Sequence, residues 1–175
     1  MAYIIDTNSL IDASIKWYNP AVFKSLWPEL SNCNDIFLTE QVCNEIKSPD
    51  ILVKWVDSFN KQRIIKVDQQ AVNEYRNVIN CIVKSKYWTE SGISQWTASP
   101  NKADPWLIAM AIVHNCTIVT MDGITNRIGQ SRKIRGLPNK NSPSSVEPKI
   151  APVANLFGIE TITIYELLVK LKFTF

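Results

Sequence analysis

Five short apolar runs, YII (3–5), IFL (36–38), RIIKV (63–67), TIVTM (117–121) and ETITI (160–164), are separated by stretches whose apolar residues recur at helical spacing. Strands that alternate with helices argue for an α/β fold in which a central, mainly parallel sheet is covered by helices on both faces. Between the first two runs, Phe23, Leu26, Trp27 and Leu30 form a helical stripe in "NPAVFKSLWPEL", with a break expected at Pro28. Thr39 is placed as the N-cap of "EQVCNEI", and a new helix, "DILVKWVDSF", starts after Ser48 and Pro49. Val72, Tyr75, Ile79 and Ile82 line one face of a helix over 69–85, whereas 86–103 reads as irregular or only briefly helical. "ADPWLIAMAIVHN" is a strongly apolar helix, and "YELLVKLKF" closes the pattern. At 175 residues and 46% hydrophobic content the chain suits one domain with a sizeable core, and it shows neither a repeat nor an internal linker.

Several classes are excluded early. The start lacks a basic region followed by a long apolar stretch, and no run approaches the ~20 apolar residues of a membrane span, so a cytoplasmic location without membrane contact is expected. Cys33, Cys43, Cys81 and Cys116 are far apart and form no C-x-x-C pair, which favours reduced thiols over disulfides or a zinc site. His114 is the only histidine, so a histidine-rich metal site is ruled out, and its place at a helix end marks a surface residue.

The net charge of +3 is unevenly spread. Over 127–149, Arg127, Arg132, Lys133, Arg135, Lys140 and Lys149 stand against Glu147 alone, among prolines, serines and asparagines without apolar periodicity. A basic, mobile loop at about 126–149 is expected, and its Arg127, Arg132, Lys133 and Arg135 are candidates for gripping a phosphate backbone. Trp88 and Trp96 could stack on bases, against a competing reading as ordinary core packing.

Acids mark the carboxyl ends of the strands, where open α/β sheets bind ligands. Asp6 ends the first run in "YIIDTNSLID" and Asp122 follows "TIVTM". Each also has a plainer explanation: Asp6 could cap the next helix, and Met121-Asp122-Gly123 could be a turn. Asp104, just before Pro105, has the pattern of an N-cap with proline at the first helical position. Glu45 borders the apolar stripe of its helix and could equally be a solvated surface acid.

In order and rough spacing, "YIIDTNSLI", "EQVCNEIK", "KADPWLIAMA" and "IVTMD" resemble the four acidic motifs of PIN-domain ribonucleases. The aromatic-rich "WYNPAVFKSLWPEL" and the closing "PKIAPVANLFGIETITIYELL" are similar to one subgroup, domain of unknown function 4411, grouped with VapC-like toxins of toxin–antitoxin loci. The resemblance implies a PIN-like three-layer α/β/α domain over 1–175 with Asp6, Glu45, Asp104 and Asp122 as its acidic quartet. Asn8 and Thr120 match the small polar residues that accompany the quartet. In two respects the chain departs from the pattern: the subgroup often has Glu where Asp122 stands, and the basic insert after it is long.

Such a quartet stays ionised at neutral pH only beside a cation, and Mg²⁺ or Mn²⁺ prefers oxygen ligands. What the resemblance implies is therefore a metal-dependent endoribonuclease, the toxin of a type II toxin–antitoxin pair. RNA would be its substrate and an antitoxin protein its partner. Domains of this size often form homodimers, and no stretch here marks an interface. The alternative is a non-catalytic PIN-like module that binds RNA or protein, in which the acids serve as caps. A haloacid-dehalogenase-like phosphatase needs a second aspartate where Asn8 stands, and a receiver domain needs an adjacent acidic pair before the first helix. Neither requirement is met.

Overall fold

The computed structural model describes residues 1–125 and 132–173. The apolar runs become β1 (Tyr3–Ile5), β2 (Ile36–Thr39), β3 (Ile64–Ile65) and β4 (Thr117–Val119). A short antiparallel pair follows, β5 (Ile124–Thr125) with β6 (Lys133–Ile134), and β7 (Thr161–Ile162) comes last. The main sheet is parallel in every pairing and has the order β3-β2-β1-β4-β7. From β1 the chain winds outward through β2 to β3, then returns to the other side of β1 for β4 and β7. Right-handed crossovers in opposite directions put helices on opposite faces, which gives a three-layer α/β fold with its switch point between β1 and β4.

The helices are α1 (Thr7–Asp12), continued as a π-helical turn over Ala13–Trp17, α2 (Leu26–Asn32), α3 (Glu40–Glu45) and α4 (Asp50–Ser58). Further along lie α5 (Gln69–Ser85), α6 (Glu90–Trp96), α7 (Ala103–His114), α8 (Ile150–Leu156) and α9 (Ile164–Lys170). Helix α7 is the centre of the core: Leu107, Ile108, Ala109, Met110 and Ala111 are fully buried, and α5 packs along it. A helix apolar all round must be enclosed by other elements, and α3, α8, β2 and β4 also touch it. Among the described residues no helix is long and apolar enough to cross a membrane.

Several boundaries differ from expectation for local reasons. The helix expected over 19–30 starts at Leu26, which leaves Pro28 in its first turn, where a missing N–H breaks no helical bond. The third strand is only two residues long because Arg63 belongs to a 3₁₀ turn and is buried. Its guanidinium donates to the carbonyls of Ser31, Cys33 and Ile36 and lies 4.7 Å from the Phe59 ring centre. The stretch 86–103, by contrast, is briefly helical as expected, in α6, whose N-cap Thr89 accepts from the Gly92 amide at 3.3 Å. Helix α8 has no counterpart in the sequence reading; its Pro152 again sits in the first turn. The cysteines are all free thiols.

Thr39 caps α3 as expected, its hydroxyl oxygen accepting from the Val42 amide at 3.3 Å. Thr39→Ala should cost about 1 kcal/mol, read as a lower midpoint in urea unfolding. Because α3 ends at Glu45, this cap also helps place one of the four acids.

The segment expected to be a mobile basic loop is, over its described part, tied to the domain. The Ser144 amide donates to the Tyr87 carbonyl, the Thr89 amide donates to the Ser144 carbonyl, both at 2.9 Å, and the Lys140 ammonium lies 4.9 Å from the Tyr87 ring centre. Arg127 lies outside the described residues.

Candidate active site

Register brings the first two groups together. Ile5 pairs with Val119, so the next residues of the two parallel strands, Asp6 and Thr120, emerge side by side at the carboxyl edge of the sheet. The Asp6 amide donates to the Val119 carbonyl at 2.9 Å. Asp6 stands at the N-cap position of α1, where its side chain makes no capping hydrogen bond of ordinary geometry although the Asn8 amide lies near enough to favour its charged form. Instead its Oδ2 accepts from the Thr120 hydroxyl at 3.1 Å, and its Oδ1 is buried without a partner among the described residues. The Thr120 oxygen also accepts from the Asp122 amide at 2.9 Å, so one hydroxyl ties two acids together.

Glu45 arrives from the end of α3. Its Oε2 accepts from the Thr7 hydroxyl at 2.6 Å and its Oε1 from the Ala103 amide at 2.7 Å. Glu45 thereby does what was expected of Asp104: it caps α7. Asp104 is not the N-cap, because the helix already begins at Ala103 and Lys102 holds that position. Freed from capping, the Asp104 carboxylate accepts at Oδ2 from the indole N–H of Trp96 at 3.2 Å. Trp96 is fully buried, as is nearly all of Trp88, so neither is an exposed stacking platform.

Asp122 holds the start of α8. Its Oδ2 accepts from the Ile150 amide at 2.9 Å and its backbone carbonyl from the Ala151 amide at 3.0 Å. Its Oδ1 faces the Lys149 ammonium at 3.2 Å, which also reaches Glu147 at 3.5 Å; Glu147 in turn pairs with Lys102. Asn8, the other small polar residue matched to the motifs, is exposed on α1.

Electrostatics connect these groups more widely than contacts do. Burial pushes the Asp6 carboxyl up from 3.8 to about 8, with Asp104 and Asp122 adding repulsion and the Thr120 hydroxyl and Asn8 amide opposing it. Asp104 rises to about 6, again mainly by burial; Asp122, Glu45 and Glu147 raise it further, and Lys102 opposes. Among the described residues, however, no three His, Cys, Asp or Glu side chains are grouped closely enough to hold a metal. Glu45 and Asp122 are directed at helix N-termini rather than at Asp6. The donors around Asp6 and Asp104 are nevertheless all oxygens, as a hard divalent cation requires, and the unpartnered Asp6 Oδ1 is a buried anion site that such an ion would satisfy. His114 is remote, beside Ala2 and Cys116 at the opposite end of β1 and β4.

The turn after β4 permits little variation. Gly123 has φ +79°, and a methyl group there would meet the Pro152 ring and approach Lys149 Cβ to 2.9 Å. Gly123→Ala should cost about 2–3 kcal/mol, from left-handed strain and from crowding of α8 against Asp122. Thermal unfolding of the variant checks this.

The sequence profile described as domain of unknown function, DUF4411, matches residues 3–140. The chain belongs to the DUF4411 family. The matched span holds Asp6, Glu45, Asp104 and Asp122, whereas Glu147 and Lys149, which complete the ion pairs of this DUF4411 site, lie beyond it. No curated protein matches the chain. It is similar to a chain in the crystal structure of VapBC2 from Rickettsia felis bound to a DNA fragment from their promoter, at 19% identity and a TM-score of 0.44. That likeness covers 69% of this chain and 87% of the other.

Of the candidate phosphate-binding residues, Lys133 and Arg135 are exposed. Arg132 turns inward: its guanidinium donates to the Thr161 carbonyl and lies 3.4 Å from Glu166. Sequence reasoning missed Thr7, Lys102 and Trp96 as supports of the acids. Only Trp96 left a trace, as an aromatic residue eight positions before Asp104.

Proposed function

We propose that this DUF4411 chain is an endoribonuclease dependent on Mg²⁺ or Mn²⁺. Support comes chiefly from Asp6, a fully buried carboxylate with one unpartnered oxygen, repelled by Asp104 and Asp122. Holding such a group in its ionised form costs a domain stability, and perturbed acids of this kind cluster where chemistry is done. Asp6 and Asp104 would be the principal metal ligands, Asp122 a ligand directly or through water, and Glu45 a ligand or the base that orients a water. When bound, the ion supplies a Lewis acid and lowers the pKa of water. The chain's own part is positional. Thr120 fixes the rotation of the Asp6 carboxylate and Trp96 that of Asp104, while Thr7 holds Glu45. Hydrolysis of a phosphodiester bond is the reaction these groups would serve.

RNA as substrate, and a place as the toxin of a toxin–antitoxin pair with a cognate antitoxin protein, rest on the resemblance to PIN-like toxins described above. A homodimer belongs to the same reading. One observation favours the non-catalytic alternative: Glu45 and Asp122 each hold a helix N-terminus, a role complete without a metal. The test is cleavage of labelled cellular RNA by the purified protein with Mn²⁺, with Mg²⁺ and with EDTA, beside Mn²⁺ titration calorimetry. Cutting that EDTA stops, together with calorimetric Mn²⁺ binding, supports the nuclease. Neither cutting nor binding leaves the module.

A further inference from the structure

Next to the acids, the segment that returns over Trp88 encloses a cavity of about 250 Å³. Trp88, Arg135, Gly136, Pro138, Glu147 and Lys149 line it. The cavity and the acidic site share one side chain, Lys149, whose ammonium lies 3.2 Å from Asp122. The walls are held in place: the Arg135 amide donates to the Gly123 carbonyl at 2.8 Å, and Ser144 is bridged to Trp88. The edge of the otherwise buried Trp88 indole and the Pro138 ring offer apolar surface, while the exposed Arg135 supplies positive charge beside Lys149, which is paired with Asp122 and Glu147. The volume is below the ~300–1,000 Å³ of sites for drug-sized ligands, which suits one small planar group.

We propose that this cavity receives one nucleobase of a single-stranded RNA, with Lys149 and Arg135 on the adjoining phosphates. Unstacked bases of single strands are the parts of RNA that proteins take into pockets, and cations beside a flat apolar wall match the two halves of a nucleotide. Through Lys149 the bound nucleotide adjoins Asp122, so the cavity would select which phosphate is presented to the acids. That last consequence rests on the nuclease reading; the binding itself does not.

Gly136 makes the proposal testable. It lines the cavity, and a Cβ built there meets nothing within 4 Å. Gly136→Phe places a bulky ring at the edge of the cavity, where there is room for it, and Gly136→Ala is the size control. Anisotropy of a fluorescent single-stranded RNA, recorded with Ca²⁺, should show Gly136→Phe binding at least ~10-fold more weakly and Gly136→Ala binding like the parent, with Mn²⁺ affinity the same in all three proteins. Arg135→Ala should lower the slope of log affinity against log salt by about 1, as loss of one phosphate contact does. Equal RNA binding by parent and Gly136→Phe overturns the proposal, as does an unchanged salt slope in Arg135→Ala. Displacement of the RNA by a free nucleoside monophosphate at equal affinity also overturns it and reassigns the cavity to free nucleotides. A parent that never cuts RNA, yet loses binding on Gly136→Phe, removes the nuclease reading and leaves the cavity assignment standing.

Discussion

Asp6→Asn is expected to reduce RNA cleavage by more than ~100-fold and to remove most of the Mn²⁺ binding seen by calorimetry. Loss of a partner that merely orients a metal ligand typically costs about 10–100-fold, and Asp6 is proposed as a ligand itself, so its loss should exceed that range. The substitution keeps the side-chain shape and the oxygen that can accept from Thr120. What it removes is the negative charge. Thr120→Val provides the graded comparison: it releases Asp6 from its only side-chain hydrogen bond among the described residues and frees the Asp122 amide, so it should fall within the 10–100-fold range. A cleavage activity that survives Asp6→Asn at parental rate would detach the reaction from this end of the sheet altogether.

The second large effect concerns pH. In the metal-free protein Asp6 is held at about 8 by burial and by its acidic neighbours, whereas in an unfolded chain it returns to 3.8. Between those values the folded state keeps a proton that the unfolded state has released, so stability falls as pH rises. The contribution is fully present below pH ~4 and is lost as pH passes through 8. Asp104, raised to about 6, adds a smaller loss in the lower part of the same window. Together they should make the protein less stable at pH 8.5 than at pH 5 by roughly 5 kcal/mol, most of it from Asp6. In Asp6→Asn most of that slope should vanish. Saturating Mn²⁺ should flatten it too, because a bound cation favours the charged carboxylates, and it should raise the melting temperature most at high pH. Urea unfolding at a series of pH values, with and without Mn²⁺, measures all of this. A metal-free stability that rises between pH 5 and 8 would contradict the assigned environment of Asp6.

Much of the fold could be read in advance because its signals are local. YII, IFL and TIVTM are strands where apolar runs stand, and Thr39 caps its helix through a contact three residues away. Where competing local rules met, the sequence misled. The Asp104-Pro105 pair matches a capping pattern, yet the cap of α7 comes from Glu45, whose side chain is carried to Ala103 from another helix. The basic segment has no periodicity of its own, and over its described part it is held by Trp88, Tyr87 and β5.

The sequence by itself determined the alternation of strand and helix, and with it a parallel sheet, a carboxyl edge and acids Asp6 and Asp122 placed on that edge. Spacing along a chain carries that much because strand and helix geometry depend on near neighbours. Only the tertiary structure decided what each acid does. Pairing of β1 with β4 set Asp6 against Thr120, burial raised Asp6 and Asp104, and Lys149 was brought to Asp122. Those outcomes depend on dielectric surroundings and on partners up to 114 positions away, as between Asp6 and Thr120, and no local pattern encodes them.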